Sequence, residues 1–246
     1  MTGASRNPSP VPDPAPVPAR PAPSRRQLAA IIDHTLLKPE ATPEQIERLC
    51  REAVEHGFAA VCVNPVYVPL AAELLADADP VVCTVIDFPL GAGAAADKAR
   101  QAEAALAAGA RELDVVQPIG LLKAGRHREV VDHLHGVVAA ARTAGALVKV
   151  ILETGLLTPE EIDLACRLAV EAGAQFVKTA TGFGPGGATE EAVRRMRAAV
   201  GPDVGVKAAG GIRDYATACR MVAAGANRIG ASASLAILAG APDEPA

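Results

Sequence analysis

Two lysines stand where a charge is out of place. Lys178 lies in QFVKTATGF and Lys207 in GVKAAGGIR, each in a short β-rich apolar run and each followed by glycines. Charged side chains almost never sit fully buried without partners, so one such lysine alone reads as a structural ion-pair residue. Two in matching settings point to chemistry. A lysine nucleophile needs a neutral amine, which burial and a second ammonium nearby both favour. At about 6 Å and an effective dielectric of about 20, the repulsion is roughly 2.8 kcal/mol, or about two pKa units. The chemistry this permits is Schiff-base formation with a carbonyl substrate. Asp114, in RELDVV, is placed to carry the proton that carbinolamine formation and C–C cleavage require.

The glycine-rich turns carry a second inference. TGFGPGG, AAGGIR and RIGAS follow the last three β-rich runs. Gly182, Gly210, Gly211, Gly230 and Ser232 are expected to present backbone N–H groups to a phosphate, unobstructed by Cβ at the glycines. Other polar residues close similar runs: Asp33, His34, Asn64, Asp87 and Glu153. His133 and His135 are two apart in a helical pattern and do not share a face. Ser232 lacks a G-x-S-x-G context, which disfavours a serine hydrolase. No His, Asp or Glu cluster has metal-ligand spacing, so neither a metal nor another cofactor is expected.

These residues need a scaffold that gathers them. Eight β-rich runs recur in series: IIDHTLL, FAAVCVN, VVCTVIDFP, RELDVV, LVKVILE, QFVKTA, VGVKAAG and NRIGAS. Longer stretches with helical periodicity separate them. Thr42, Pro43 and Gln45 form a helix-start signature, repeated at Thr158, Pro159 and Glu161. Gly57, Gly109, Gly145, Gly173 and Gly225 mark helix exits. The alternation implies parallel strands with both faces covered, and eight units favour an α/β fold of the (β/α)8 barrel type, whose active site lies at the C-terminal ends of the strands. No GxGxxG follows the first run, which weakens a dinucleotide-binding alternative.

The 246 residues suit a single barrel domain, expected over residues 26–240. Residues 1–25 carry Pro at nearly every second position from Pro8 to Pro18 and are expected to be a disordered tail; residues 241–246 are expected to be a flexible C-terminus. A net charge of −4 with both signs interspersed leaves no footprint for nucleic acid. No apolar run approaches membrane-spanning length, and the N-terminus lacks a signal-peptide core. Five dispersed cysteines without paired spacing suggest reduced thiols and a cytoplasmic protein. A homo-oligomer is compatible with these features.

Read in order, IDHTLLKP, VCVNP, DFPLG, ELDVV, VKVILETG, FVKTATGFGPGG, VKAAGGIR and RIGAS resemble the deoxyribose-phosphate aldolase family over nearly all of the chain beyond the Pro-rich tail. The resemblance implies a TIM-barrel class I aldolase that reversibly cleaves 2-deoxy-D-ribose 5-phosphate to D-glyceraldehyde 3-phosphate and acetaldehyde, in deoxyribose phosphate catabolism. It implies that Lys178 forms the Schiff base, that Lys207 perturbs its pKa and assists proton transfer, that Asp114 works in the proton relay, and that Asp33 is a supporting polar partner. The residues alone leave open which lysine is the nucleophile. Three departures bear on the pocket: Gln117-Pro118 stands where the family has Ile-Asn, Ala180 where Ser is usual, and Ala233 where a second Ser is usual. The alternatives are a class I aldolase of another sugar phosphate and a non-catalytic phosphosugar-binding barrel.

Overall fold

Strand side chains alternate in direction, so each strand must satisfy two environments at once. Here the sheet closes on itself and makes those environments an inside and an outside. The computed structural model describes residues 22–243. Eight parallel strands form a closed barrel in sequence order: β1 (Ile32–Leu36), β2 (Ala60–Val63), β3 (Val81–Ile86), β4 (Glu112–Val116), β5 (Leu147–Ile151), β6 (Phe176–Lys178), β7 (Gly205–Ala209) and β8 (Arg228–Ala231). The helices are α1 (Arg25–Ala29), α2 (Pro43–His56), α3 (Val68–Leu74), α4 (Ala95–Ala107), α5 (Ile119–Lys123), α6 (His127–Thr143), α7 (Pro159–Glu171), α8 (Glu190–Val200), α9 (Tyr215–Ala223) and α10 (Ser234–Ala239). This is the expected (β/α)8 barrel, with each of the eight expected runs supplying one strand.

The helix boundaries follow local chemistry. At α7 the Thr158 hydroxyl accepts from the Glu161 amide while the Glu161 carboxylate accepts from the Thr158 amide, satisfying two otherwise orphaned donors. The Gln45 side chain does the same for the Thr42 amide at α2. The five glycines expected at helix exits all have positive φ.

Outward-facing Leu113, Val115, Val148, Val150, Val177, Val206 and Ile229 join the helices in one buried apolar cluster. The barrel interior is divided. Leu37, Ala60, Cys62, Cys83 and Val85 make a small apolar cluster on the β1–β3 side. The β4–β8 side carries buried Glu112, Asp114, Lys149, Lys178 and Lys207 instead. Parallel strands covered on both faces are usually apolar throughout, so this half is a departure with a purpose.

The expected domain edges shift slightly. Ser24 caps α1, and Arg25 is helical. The Arg25 amide donates to the Pro242 carbonyl at 2.7 Å, and Arg25 pairs with Asp243. The expected boundary between residues 25 and 26 therefore falls inside a helix, and Ala241, assigned to a flexible end, is buried. The rest of the expected tail, residues 1–21, lies outside the described residues.

Candidate active site

Strand register decides which side chains meet. Lys178 on β6 is the direct neighbour of Lys207 on β7, and Asp114 on β4 is the neighbour of Lys149 on β5. Two strands separate Asp114 from Lys207, yet the barrel's curvature brings them together. Lys178 Nζ and Lys207 Nζ both donate to Asp114 Oδ2, at 2.8 and 2.7 Å. The two nitrogens are thus within two hydrogen-bond lengths of each other. Lys207 also donates to Asp33, whose other oxygen accepts from Arg228 at 2.9 Å.

Below this trio lies a layer that sequence reasoning missed. Lys149 Nζ donates to Asp114 Oδ1 at 2.7 Å and lies 2.6 Å from Glu112 Oε2 and 3.3 Å from Cys83 Sγ. Arg228 bonds Glu112 Oε1 at 2.7 Å and stacks over the Phe176 ring. Four basic groups (Lys149, Lys178, Lys207, Arg228) thus share three acids (Asp33, Glu112, Asp114). A signal for Glu112 was available, because it is two residues before Asp114 and so faces the same side. Lys149 sits between valines in LVKVI, the same anomaly that marked Lys178 and Lys207.

The electrostatics follow from burial and pairing. Burial opposes ionisation of Asp33, but Lys207, Lys149 and Arg228 outweigh it and hold the carboxyl down to about 2. Burial likewise opposes Asp114, and Lys149, Lys178 and Lys207 hold it well below the usual carboxylate range. Lys207 is raised: burial disfavours its charge, but Asp114 and Asp33 overcome that. Lys149 is raised for the same reason. Lys207 is therefore a fixed cation beside Lys178. Cys62, Cys83 and Asp114 lie close enough to share a metal ion, as do Asp33, Cys83 and Glu112. The Lys149 ammonium already contacts Cys83, Asp114 and Glu112, so a cation's place among these donors is taken.

A cavity of about 380 Å³ opens above the cluster. Lys178 lines it; Lys207, Asp114 and Asp33 do not. Lys207 is the middle residue of β7 rather than a late one, and its stem crosses the interior toward Asp33. All five residues expected at a phosphate, Gly182, Gly210, Gly211, Gly230 and Ser232, line the same cavity. So do Lys38 and Arg213, two cations not singled out from sequence. Gly230 has a further reason to be glycine, because a Cβ there would lie 2.8 Å from Lys207 Cε.

The remaining polar strand-end residues go elsewhere. Adjacent strand residues face opposite ways, so His34 leaves the barrel for Glu52 and Ser234. Asn64 bonds the Leu37 carbonyl, and Asp87 pairs with Lys98. Glu153, with φ of 56°, accepts from the Thr181 amide and hydroxyl and so anchors the loop after β6. The three sequence departures also miss the cavity: neither Ala180, Ala233, Gln117 nor Pro118 lines it. Gln117 instead bridges β4 to β5 through the Leu152 carbonyl at 2.8 Å.

Comparison with known proteins supplies relatives for this geometry. Residues 28–240 match the model of a family described as DeoC/LacD family aldolase. Deoxyribose-phosphate aldolase 1 of Bacillus licheniformis is 55% identical over 215 residues, 87% of this chain and 96% of its own. The deoxyribose-phosphate aldolase of Thermococcus kodakarensis is 55% identical over 223 residues, 90% of this chain and 100% of its own. Among solved structures, the tetrameric deoxyribose phosphate aldolase from Aeropyrum pernix matches with a TM-score of 0.83 and 39% identity, covering 88% of this chain and 91% of that one.

Proposed function

The chain belongs to the DeoC/LacD family of aldolases, and from that premise we propose that it reversibly cleaves 2-deoxy-D-ribose 5-phosphate to D-glyceraldehyde 3-phosphate and acetaldehyde, with Lys178 as the Schiff-base lysine. One observation carries the choice of nucleophile: of the clustered basic and acidic groups named above, Lys178 alone lines the cavity. Charge counting supports it. Four cations over three acids leave one positive charge in excess, and an uncompensated buried charge is costly. Lys207 contacts two of the acids and Lys149 all three, whereas Lys178 touches only Asp114. It is the lysine of the cluster held by the fewest ionic contacts.

The neutral amine attacks the open-chain aldehyde carbon, and loss of water gives an iminium. Acetaldehyde carries two carbons and glyceraldehyde 3-phosphate three, so the bond that breaks is C2–C3. A base removes the C3 hydroxyl proton and C3 becomes an aldehyde. The bonding pair moves into the iminium, which becomes an enamine. Protonation at C2 and hydrolysis release acetaldehyde and regenerate Lys178. Asp114, between the two lysine nitrogens, accepts and returns protons, and Lys207 holds the fixed positive charge. Asp33 keeps Lys207 in place. At the other end of the cavity, backbone around Gly182, Gly210, Gly211, Gly230 and Ser232 receives the phosphate, with Lys38 and Arg213 supplying charge.

The test is chemical trapping. Borohydride reduction after incubation with substrate or acetaldehyde should leave a mass adduct on Lys178. An unmodified Lys178 with substrate still bound would overturn the mechanism, and an equal yield with other sugar phosphates would overturn the substrate assignment. The tetrameric Aeropyrum pernix relative supports a homo-oligomer here too, and the free cysteines support a cytoplasmic setting.

A further inference from the structure

His34 has no place in the lysine cluster, yet it is one of the most constrained groups in the fold. It is buried, packed against the Phe58 ring, and bonded at both nitrogens. Nε2 lies 2.7 Å from Glu52 Oε2 on α2, and Nδ1 lies 3.0 Å from Ser234 Oγ at the start of α10. The Ser234 hydroxyl is fully buried and lies 3.0 Å from the Ala231 carbonyl, to which it donates. That bond closes the turn between β8 and α10 that presents Ser232 to the cavity.

Counting protons exposes a switch. A hydroxyl has one proton to give. Once it goes to Ala231, Ser234 can only accept, so His34 Nδ1 must donate. A close contact between Nε2 and the Glu52 carboxylate needs a proton as well. Only an imidazolium donates from both nitrogens. In the neutral ring, Nε2–H stays with Glu52 and Nδ1 becomes an acceptor. Ser234 then turns its hydroxyl to Nδ1, and the Ala231 carbonyl loses its partner.

We propose that His34 is a positioning residue for the phosphate end of the site: its charged form holds the Ser232 turn closed through Ser234, and loss of one proton slackens that turn. This rests on the reading that the cavity binds a sugar phosphate. Protons reach the pair from a second cavity of about 370 Å³ behind the turn, lined by His34, Glu52, Arg48, Lys38, Glu40 and Ser232. Burial lowers the proton affinity of His34; Glu52 opposes this, and His56 on α2 adds to it. Arg48 lies 3.6 Å from the other Glu52 oxygen. The turn is therefore tied at acidic pH and slack once the pH rises past the His34 pKa, which lies below the ordinary histidine value.

Two variants separate the states. Ser234→Ala cannot tie the turn at any pH. His34→Asn keeps a donor near the Nδ1 position without a titrating charge, so it ties the turn at every pH. KM for 2-deoxyribose 5-phosphate is measured as a series from about pH 8 down to the most acidic pH at which the protein stays folded, and divided by the wild-type value, which cancels the phosphate's own ionisation. One hydrogen bond is worth roughly five-fold in affinity. Ser234→Ala should show a ratio of about five at the acid end of the series falling to about one at pH 8, and His34→Asn about one at the acid end falling to about one-fifth at pH 8. With unphosphorylated 2-deoxyribose both ratios should stay near one. Ratios that do not change with pH, or that change equally for both sugars, would overturn the role of His34 while leaving the phosphate site standing. A wild-type protein with no preference for the phosphorylated sugar would overturn the phosphate site and this inference together.

Discussion

Replacing Asp114 by Asn keeps the volume and removes one negative charge from among three lysine nitrogens. Lys149, Lys178 and Lys207 contact its oxygens at 2.7, 2.8 and 2.7 Å, so the change leaves four basic groups over two acids in a buried space. Breaking a buried pair by removing one partner costs about 3–5 kcal/mol. For a chain of this size that is a fall in Tm of roughly 6–20 °C. The pH dependence has a definite sign. The Asp114 carboxyl is depressed in the fold, so its contribution exists above its unfolded pKa of about 3.9 and fades as pH falls through the folded value. Lys207 is raised in the fold, so its contribution is complete below about 10.4 and fades as pH rises through the folded value. The gap between wild type and variant should be flat from about pH 5 to pH 9 and narrow toward either extreme. Turnover should drop by about 10²–10⁴, the ordinary worth of a positioned proton-transfer group, and borohydride trapping at Lys178 should slow without moving to another lysine. Calorimetry across pH, with turnover on the same samples, checks both. A variant with wild-type Tm at pH 7 and turnover within ten-fold of wild type would refute the assignment of Asp114 to either task.

Lys178→Met should abolish the trapped adduct and turnover while sugar phosphate still binds, measurable by calorimetric titration; retained turnover would move the nucleophile elsewhere. Gly230→Ala should place a methyl against Lys207 Cε and destabilise by about 1–3 kcal/mol, seen as a lower urea midpoint, with turnover falling as the ammonium is displaced. Asp33, held to about 2, contributes about 2 kcal/mol that is present above pH 4 and lost as the pH falls toward 2. Asp33→Asn should therefore lower stability at pH 7 and leave it nearly unchanged near pH 2, as acid-titrated circular dichroism would reveal.

The scaffold was legible because its signals are local. Thr42 and Thr158 announce helix starts, and each strand is a short apolar run. Half of the charged interior was legible for the same reason, since Lys178, Lys207 and Asp114 interrupt such runs. What escaped is the pairing. Arg228 reaches Glu112 from the opposite side of the barrel, and no spacing in sequence encodes a contact set by closure of the sheet. Asp33 and His34 read as one polar strand end, yet they part to opposite faces. Ala180 and Ala233 read as changes to the pocket, yet neither lines the cavity.

The bond between the Arg25 amide and the Pro242 carbonyl makes the chain between them a ring lacking one covalent link. In such a ring the place where synthesis begins is a matter of history rather than of architecture. Linking these ends and opening the exposed turn at Pro202 and Asp203 would leave every strand neighbour unchanged. The seam between β1 and β8, which now must wait for the last strand to be made, would then join consecutive segments. The seam between β6 and β7 would become the late one instead, so the two lysine-bearing strands would be the last to meet.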